Sequence, residues 1–483
     1  MSAPRYGGTG AMGSATPYCG FVRGDGGARR VAASAAHVLV SAPTETGKTR
    51  RILAPAAVLW GGPVVVVSSK DDLMQLVMTR RVGPSALVDL RPDYDAEYPG
   101  VPVRSFDPTA LIRTPDQAVT AANTMMQMSA VGLGSGADQV SDAGIWESNT
   151  EGPLAAMLYA ASPHGNNGGI GWVLLAVDNL DLDGSPGRQL SMEPSWRMAA
   201  DIVRGKPLFR NALLRTLAMD PRQRDSIALT MRKAVMPWMR LALRGIEHAA
   251  FDESLLEDPT ATVYVLSPAE GSIAGAAVTL LEHLVKVWRA KTARHEMHHR
   301  LLIVIDEAAN VAPMPALRRH ISEGRGLGVN FVVSVQASSQ LETVYGSAYA
   351  RELRDTFPAA LVMFGAAEME MLQRAEEWTL QTTRRQESFD QATGAKTLSS
   401  QLSSTLDYRR LLPQNTDHAR LLVRGTAGVC TEIPDWSSFV DLYDAAARAV
   451  LRDSGSAASP RLGLVGVLAE RHRRAVASAR GSR

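Results

Sequence analysis

The chain has little of what a secreted, metal-clustered or membrane-spanning protein needs. Its 483 residues include only two cysteines, Cys19 and Cys430. That excludes a disulfide framework and a cysteine-based metal cluster, and it suits a reducing cytosol. No segment reaches the ~18 uninterrupted apolar residues of a membrane span; the nearest, Ile52 to Val67, is broken by Pro55, Gly61, Gly62 and Pro63. Charge of one sign is also scarce. The net charge is only +2, so any basic surface has to be local. The N-terminus, with Gly7, Gly8, Gly10 and Gly13 in quick succession, has the character of neither a signal nor a transit peptide. The expectation is a chain soluble by itself in the cytoplasm, peripheral at the cytoplasmic membrane only through a separate, membrane-embedded partner.

What is present is ordinary in bulk and specific in detail. A hydrophobic content of 45% and a charged content of 21% are those of a globular protein, and the length allows two to four domains. The most informative stretch is Ala42-Pro43-Thr44-Glu45-Thr46-Gly47-Lys48-Thr49, of the form G/A-x-x-x-x-G-K-T. In such a loop the backbone N–H groups cradle phosphate oxygens at a helix N-terminus. Lys48 is expected to reach the β- and γ-phosphates of ATP, and the Thr49 hydroxyl to ligate Mg²⁺. His37 to Ser41 before the loop is a short apolar strand, and Arg50 to Leu59 after it is compatible with a helix. Ala42 replaces the usual glycine, which matters if that position needs a positive φ.

The partner motif is Leu301-Leu302-Ile303-Val304-Ile305-Asp306-Glu307. A five-residue apolar run suits a strand buried on both faces. Its end is where a nucleotide-binding sheet places an Asp linked to Mg²⁺ through water and, beside it, a Glu that activates the attacking water. Asp306 and Glu307 are therefore the candidate metal and catalytic carboxylates.

Strands and helices alternate in two blocks. His37 to Ser41, Val64 to Val67 and Val103 to Pro108 read as strands before about residue 111, with Ala261 to Leu266, Leu301 to Ile305, Asn330 to Val335, Leu361 to Phe364 and Ala419 to Val423 after about residue 250. Between them only helical spacing appears, over Val119 to Met128, Trp146 to Ala161, Pro194 to Val203 and Arg222 to Leu243. The expected plan is α/β, a RecA-like P-loop nucleotide-binding domain made of residues 31–111 and 250–444, with an all-α domain of residues 112–249 inserted in it. Residues 1–30 read as an extended glycine-rich lead-in, and Gln381 to Ser404 as a polar, mobile loop. Residues 445–483, with eight arginines against two acidic residues, read as a basic tail whose ordinary role is a solvated face.

Two further residues belong to the candidate site. Arg325 lies between glycines in Gly324-Arg325-Gly326-Leu327-Gly328, where its guanidinium is free either to act on a neighbouring subunit's γ-phosphate or to cap a helix against a carboxylate. Gln336 closes the 330–335 strand, where its amide can sense the γ-phosphate or orient water; capping a turn is its plainer alternative.

These residues carry a family resemblance. Asp306-Glu307-Ala308, the Pro313/Pro315 segment, Gly324 to Gly328, Gln336 to Leu341 and Tyr345-Gly346 resemble the type IV coupling proteins, ring ATPases of conjugation and type IV secretion within the FtsK/HerA-type superfamily. Lys48 with Thr49, Pro55, Phe106-Asp107-Pro108 and Trp146-Glu147 extend the resemblance over most of residues 35 to 430. It implies a hexameric ring with sites at subunit boundaries, Arg325 acting in trans and Gln336 as γ-phosphate sensor. It also implies DNA, single- or double-stranded, and a relaxase or other secretion substrate as partners. The chain departs from the family in showing no N-terminal membrane helix, in Ser68-Ser69-Lys70-Asp71 where many members have Asp-Pro-Lys-Gly, and in Ala42.

Two other patterns fit solvated connectors better than sites. His295-Glu296-Met297-His298-His299 matches H-E-x-x-H but stands at the polar end of a helix with no downstream ligand. Asn179 to Gly184 opens like a calcium loop but has Leu190 at the twelfth position. The leading function is an ATP-driven motor that moves DNA or a DNA–protein complex toward a secretion channel. A cytosolic duplex-DNA translocase and a nucleotide-bound, non-catalytic cargo adaptor are the alternatives.

Overall fold

In the computed structural model the chain is described from residue 16 to residue 453, apart from residues 25–28, 92–96, 131–141, 182–192, 245–247, 270, 298, 324–325, 327, 379–380, 390–395 and 405–406. Its thirteen described strands are β1 (Phe21–Arg23), β2 (Arg29–Val31), β3 (His37–Ser41), β4 (Val64–Ser68), β5 (Ser85–Asp89), β6 (Thr262–Leu266), β7 (Leu301–Ile305), β8 (Val329–Val335), β9 (Ala359–Met363), β10 (Gln381–Phe389), β11 (Lys396–Ser404), β12 (His418–Val423) and β13 (Val429–Glu432). Eleven form one sheet in the order β2-β1-β13-β12-β9-β3-β8-β7-β4-β6-β5. From β9 to β5 every neighbouring pair is parallel; β12, β13, β1 and β2 extend the sheet antiparallel. β8 lies between β3, which leads to Lys48, and β7, which leads to Asp306.

Why these short runs become central strands is visible in where alternate residues go. Leu39, Val65, Val67, Val263, Ile303, Ile305 and Val333 face one apolar cluster, while Val38, Val40, Val64, Val66, Tyr264, Leu302, Val304 and Val332 face another. Both faces are covered, so an uninterrupted Val/Ile/Leu run is the stable choice. The second face is covered by the helix after the phosphate loop, by Asp72–Met78 and by Trp436–Asp453. The first is covered by Gly271–Ala293 and, continuous with it in one core, by helices drawn from between β5 and β6.

That intervening stretch contains no strand among the described residues. Its main helices are Pro115–Ala130, Asp142–Ala161, Gly169–Asp178, Trp196–Ile202, Pro207–Leu217 and Pro221–Val235, the last running through a tight turn into Met239–Arg244. Gly169–Asp178 and Pro207–Leu217 went unread in the sequence, the first because glycines open it and the second because Pro207 does. A proline at the first helical position costs nothing, since the N–H it lacks would have no intrahelical partner there. Trp196 and Trp238, both at most 1% exposed, anchor this layer to the shared core.

Several expectations need correction. The lead-in reading of residues 1–30 fails for its second half: β1 and β2 are sheet strands, and Tyr18, Cys19 and Phe21 are buried, with Tyr18 against Phe21 and Phe439. Residues 1–15 lie outside the described residues. Val103 to Pro108 is not a strand; Val103 and Ser105 make single bridges, to Leu87 and Ala250. Pro102 and Pro108 each lack an N–H, which stops a ladder there, and the strand is Ser85–Asp89 instead. Gln381 to Ser404 is no loop but an antiparallel pair, β10 with β11, in register from Gln381↔Ser404 to Phe389↔Lys396. Thr and Ser are good strand residues, and a polar hairpin lacks the apolar alternation that reveals most strands. The basic tail starts as the last turns of Trp436–Asp453; residues 454–483 are not among those described.

Candidate nucleotide site

The phosphate loop leaves β3 at Ser41 and turns through Glu45 (φ 64°) and Gly47 (φ 84°). Gly47 is needed twice over, because a Cβ there would meet the Arg51 side chain at 3.1 Å. Ala42 is not among the residues with positive φ, so its methyl is accommodated. It is fully buried, and its N–H donates to the Val335 carbonyl of β8 (3.1 Å). The Thr46 hydroxyl closes the loop on the Pro43 carbonyl (2.8 Å). The N–H groups of Glu45, Thr46 and Gly47 donate to no described protein acceptor, which is the property an anion cradle requires. The chain then enters one wide, π-type turn over Thr49–Leu53 before Ala54–Leu59, a distortion common at functional sites.

Four elements converge on the two carboxylates. The Thr49 hydroxyl donates to Asp306 Oδ2 (3.3 Å) and the Ser334 hydroxyl to Asp306 Oδ1 (2.9 Å). Ser334 Oγ in turn accepts the Glu307 backbone N–H (3.0 Å), so one β8 hydroxyl sets both acids. Lys48 Nζ lies 3.1 Å from Glu307 Oε1, and Gln336 Nε2 donates to the same oxygen (3.0 Å). Gln336 is itself held by its backbone N–H, which donates to Gln340 Oε1 (3.0 Å). Glu307 sits in the left-handed region at φ 52°, ψ 55°, a conformation that costs a non-glycine residue roughly 1–3 kcal/mol and clusters at active sites.

The two carboxyls are tuned in opposite directions. Burial pushes Asp306 up from its ordinary value, and the charges of Glu307 and Asp72 add to this, against the pull of Lys48 and the Ser334 hydrogen bond. For Glu307 burial acts upward too, but the hydrogen bonds from Gln336 and Lys48 and the charges of Lys48 and Lys70 outweigh it, and its pKa is lowered. Glu307 is the readily ionised member, and Asp306 the one that gains most from a cation. The donor set fits Mg²⁺ with a triphosphate: Thr49 Oγ1 and Asp306 supply hard oxygen ligands facing each other, and Lys48 and the loop amides supply the anion site.

Of the sequence candidates, Pro43 to Thr49, Asp306, Glu307 and Gln336 are thus brought together. Arg325 lies outside the described residues. The H-E-x-x-H pattern is not on a helix: Gly271–Ala293 has ended, His295 is left-handed at φ 58°, and His298 is outside the described residues. No group of three possible metal ligands from His, Cys, Asp and Glu occurs among the described residues. The turn at Asn179 is described only as far as Asp181. Sequence reading gave no site role to Ser334 or Lys70. The first had a signal, being one of only two polar residues in the otherwise apolar Val329–Val335.

A parallel sheet with helices on both faces and a phosphate loop meeting an acidic strand end defines a RecA-like P-loop nucleotide-binding fold with a helical domain. The family model of type IV secretory system conjugative DNA transfer matches residues 11–416, and the chain belongs to that family. Among solved structures it is similar to the bacterial conjugative coupling protein TrwBdeltaN70 in its unbound monoclinic form, at 16% identity and a TM-score of 0.54 over 87% of this chain and 90% of that one. It is also similar to the plasmid coupling protein TrwB in complex with the non-hydrolysable ATP analogue ADPNP (17% identity, TM-score 0.50, 83% of this chain and 85% of that one). TrwB in complex with ADP and Mg²⁺ gives 16% identity and a TM-score of 0.51 over 83% of this chain and 85% of that one. No curated protein matches the chain. No helix among the described residues is long and apolar enough to cross a membrane.

Proposed function

We propose that the chain is an ATP-hydrolysing coupling motor of conjugative DNA transfer, with residues 16–111, β1 and β2 included, and 250–444 as its nucleotide-binding domain and residues 112–249 as an insert that meets DNA or its carrier protein. The observation that carries this reading is the meeting of Lys48, Gln336 and Glu307 on one side and Thr49 and Asp306 on the other. Lys48 and the loop amides bind the phosphates; Thr49 and, through water, Asp306 would hold Mg²⁺, which would supply charge neutralisation to the phosphates when bound. Glu307 takes a proton from water as the water oxygen bonds to the γ-phosphorus and the bond to ADP breaks. Gln336, freed from Glu307 when that proton is taken, contacts the γ-phosphate. Arg325 completes the site of a neighbouring copy in a ring, as the family resemblance implies.

The insert supports a nucleic-acid or acidic partner. Residues 204–244 carry ten Lys and Arg against two acidic residues, in a chain whose net charge is +2. Arg210, Arg215, Arg222, Lys233 and Arg240 are exposed, so the basic surface missing overall is concentrated here. A relaxase or another secreted substrate, and membrane-embedded secretion components reached through a separate protein, are the further partners of this reading. The test is ATP hydrolysis by the full chain with and without single- and double-stranded DNA across a salt series. Stimulation by DNA that weakens as salt rises is expected. Hydrolysis indistinguishable from that of Lys48→Ala, with either DNA, would overturn the reading.

A further inference from the structure

One buried carboxylate beside the site takes no part in the scheme above. Glu368, 4% exposed, follows β9 and opens the Met369–Glu377 helix. Its Oε1 accepts from the Ser41 hydroxyl (2.6 Å) and the Ser338 backbone N–H (2.7 Å), and its Oε2 accepts from the Ser338 hydroxyl (2.7 Å). Ser41 is the last residue of β3, directly before the phosphate loop, and Ser338 is two residues beyond Gln336. Arg354 supports the same point, donating to Ser338 Oγ (3.2 Å) and to Glu342 Oε1 (3.1 Å).

This arrangement answers a mechanical need. The ladder between β3 and β8 ends at Ser41↔Val335. Past that pair the Ala42 N–H still reaches the Val335 carbonyl, and then the two chains part. One goes to Lys48 and the other to Gln336, yet both must meet at Glu307 Oε1. A side chain from a third strand end, bonded to both chains where they separate, fixes their spacing. Burying a carboxylate is costly unless its oxygens are satisfied, and here three donors from two loops satisfy them.

We propose that Glu368 is a positioning residue for nucleotide hydrolysis, the strut that holds the phosphate loop and the Gln336 loop at the spacing Glu307 needs. The inference rests on the hydrolytic reading of the site. Glu368 acts through Ser41 and Ser338. Geometric errors of about 1 Å at a reacting centre cost on the order of 100-fold in rate. Loosening the strut should therefore appear in kcat, while the phosphate loop, still closed by Thr46 and Gly47, keeps its affinity.

The test uses the full chain as Ser41→Ala, Ser338→Ala and the double variant, each leaving the carboxylate at least one donor, with Glu368→Gln beside them. Wild type and Lys48→Ala are the references. ATP affinity, kcat and melting temperature are measured for each. Either serine change is expected to lower kcat about tenfold with affinity held within about threefold, and the double variant should be no slower than the worse single one, because either break disconnects the strut. Glu368→Gln, which keeps the Oε1 acceptor, should retain more activity than the double variant. Unchanged kcat in the serine variants of an active wild type overturns the strut alone. Losses that multiply and follow the fall in melting temperature also overturn it, since they mark ordinary destabilisation. A wild type no more active than Lys48→Ala overturns the hydrolytic reading itself.

Discussion

Both edges of the parallel sheet bury charged and polar side chains, and they use them differently. At the amino edge, Arg81 is 5% exposed and donates to the carbonyls of Ala57 (3.1 Å), Trp60 (2.9 Å) and Gly62 (2.5 Å) and to Thr262 Oγ1 (2.8 Å), tying together the chain before β4 and the start of β6. Nearby Asn330 donates to the Ala36 carbonyl (2.7 Å) and accepts from Arg300 Nε (2.6 Å), joining the starts of β3, β7 and β8. These side chains serve backbone groups that the ladders leave over. At the carboxyl edge the side chains face one another instead: Lys48 with Glu307, Thr49 with Asp306, Gln336 with Glu307. Amides of the loop there have no acceptor among the described residues, and Glu307 holds a strained backbone. One edge is closed to stabilise; the other is left incomplete for a ligand, at the end of the strands where open α/β sheets bind theirs.

The largest expected effect falls on the carboxyl edge. Lys48→Ala should abolish hydrolysis and nucleotide binding together. Glu307→Gln should still bind ATP while kcat falls by about 10²–10³ or more. Neither should shift the urea midpoint of unfolding much. Near-wild-type turnover in Glu307→Gln would end its assignment as the base.

The amino edge should show the reverse. Arg81→Ala leaves several buried carbonyls without a donor and should destabilise the chain by about 3 kcal/mol or more, read as a lower urea midpoint. Turnover per folded molecule should stay near wild type. A large loss of kcat at unchanged stability would dissolve the distinction between the edges.

A third expectation concerns Arg325 and the ring. Arg325→Ala and Glu307→Gln chains, each inactive alone, should recover part of the wild-type rate when mixed, because one boundary in such a ring has both groups intact. Mixtures as inactive as their parents, under conditions where rings are seen to form, would show that the carboxyl edge is complete within one chain.

How much of this was legible follows from the same contrast. Lys48, Thr49, Asp306, Glu307 and Gln336 were readable because their chemistry is local in sequence: each sits at the end of a strand whose apolar run announces it. Ser41, Ser334, Ser338 and Glu368 were not, since what defines them is a neighbour hundreds or tens of residues away, as with Ser41 and Glu368 at a separation of 327. The central strands were legible because burial on both faces forces composition. β5 was missed because Ser85–Asp89 has only three buried apolar positions, Ala86, Leu87 and Val88, and β10–β11 because a polar hairpin carries no such constraint. The long helices between β5 and β6 were readable from their spacing, but their union with the sheet in one core was not. For that reason substitutions on their exposed basic face test them better than removal of residues 112–249, which would uncover that core.

The finest test of the contrast is pH. His37 opens β3 at 1% exposed, and its Nδ1 accepts the Phe331 backbone N–H (3.2 Å), so the neutral ring carries its proton on Nε2. Burial pushes its pKa down to about 3, with the charges of Arg300 and His320 adding to the shift. An unfolded histidine titrates near ~6.5, so on acidification the unfolded state takes up the proton first. The stability that neutral His37 contributes is therefore complete above about pH 6.5 and is lost as pH falls toward 3, at up to about 1.4 kcal/mol per pH unit. Glu307, held low by Gln336 and Lys48 against its burial, should stay ionised over the upper part of that window. Between pH 6.5 and 5 the chain should then lose melting temperature faster than turnover per folded molecule. His37→Asn places an acceptor, Oδ1, near the position of Nδ1. It should lower the melting temperature at pH 7.5 but flatten its decline between pH 6.5 and 4. An equally steep decline in His37→Asn would move the acid sensitivity away from the amino edge.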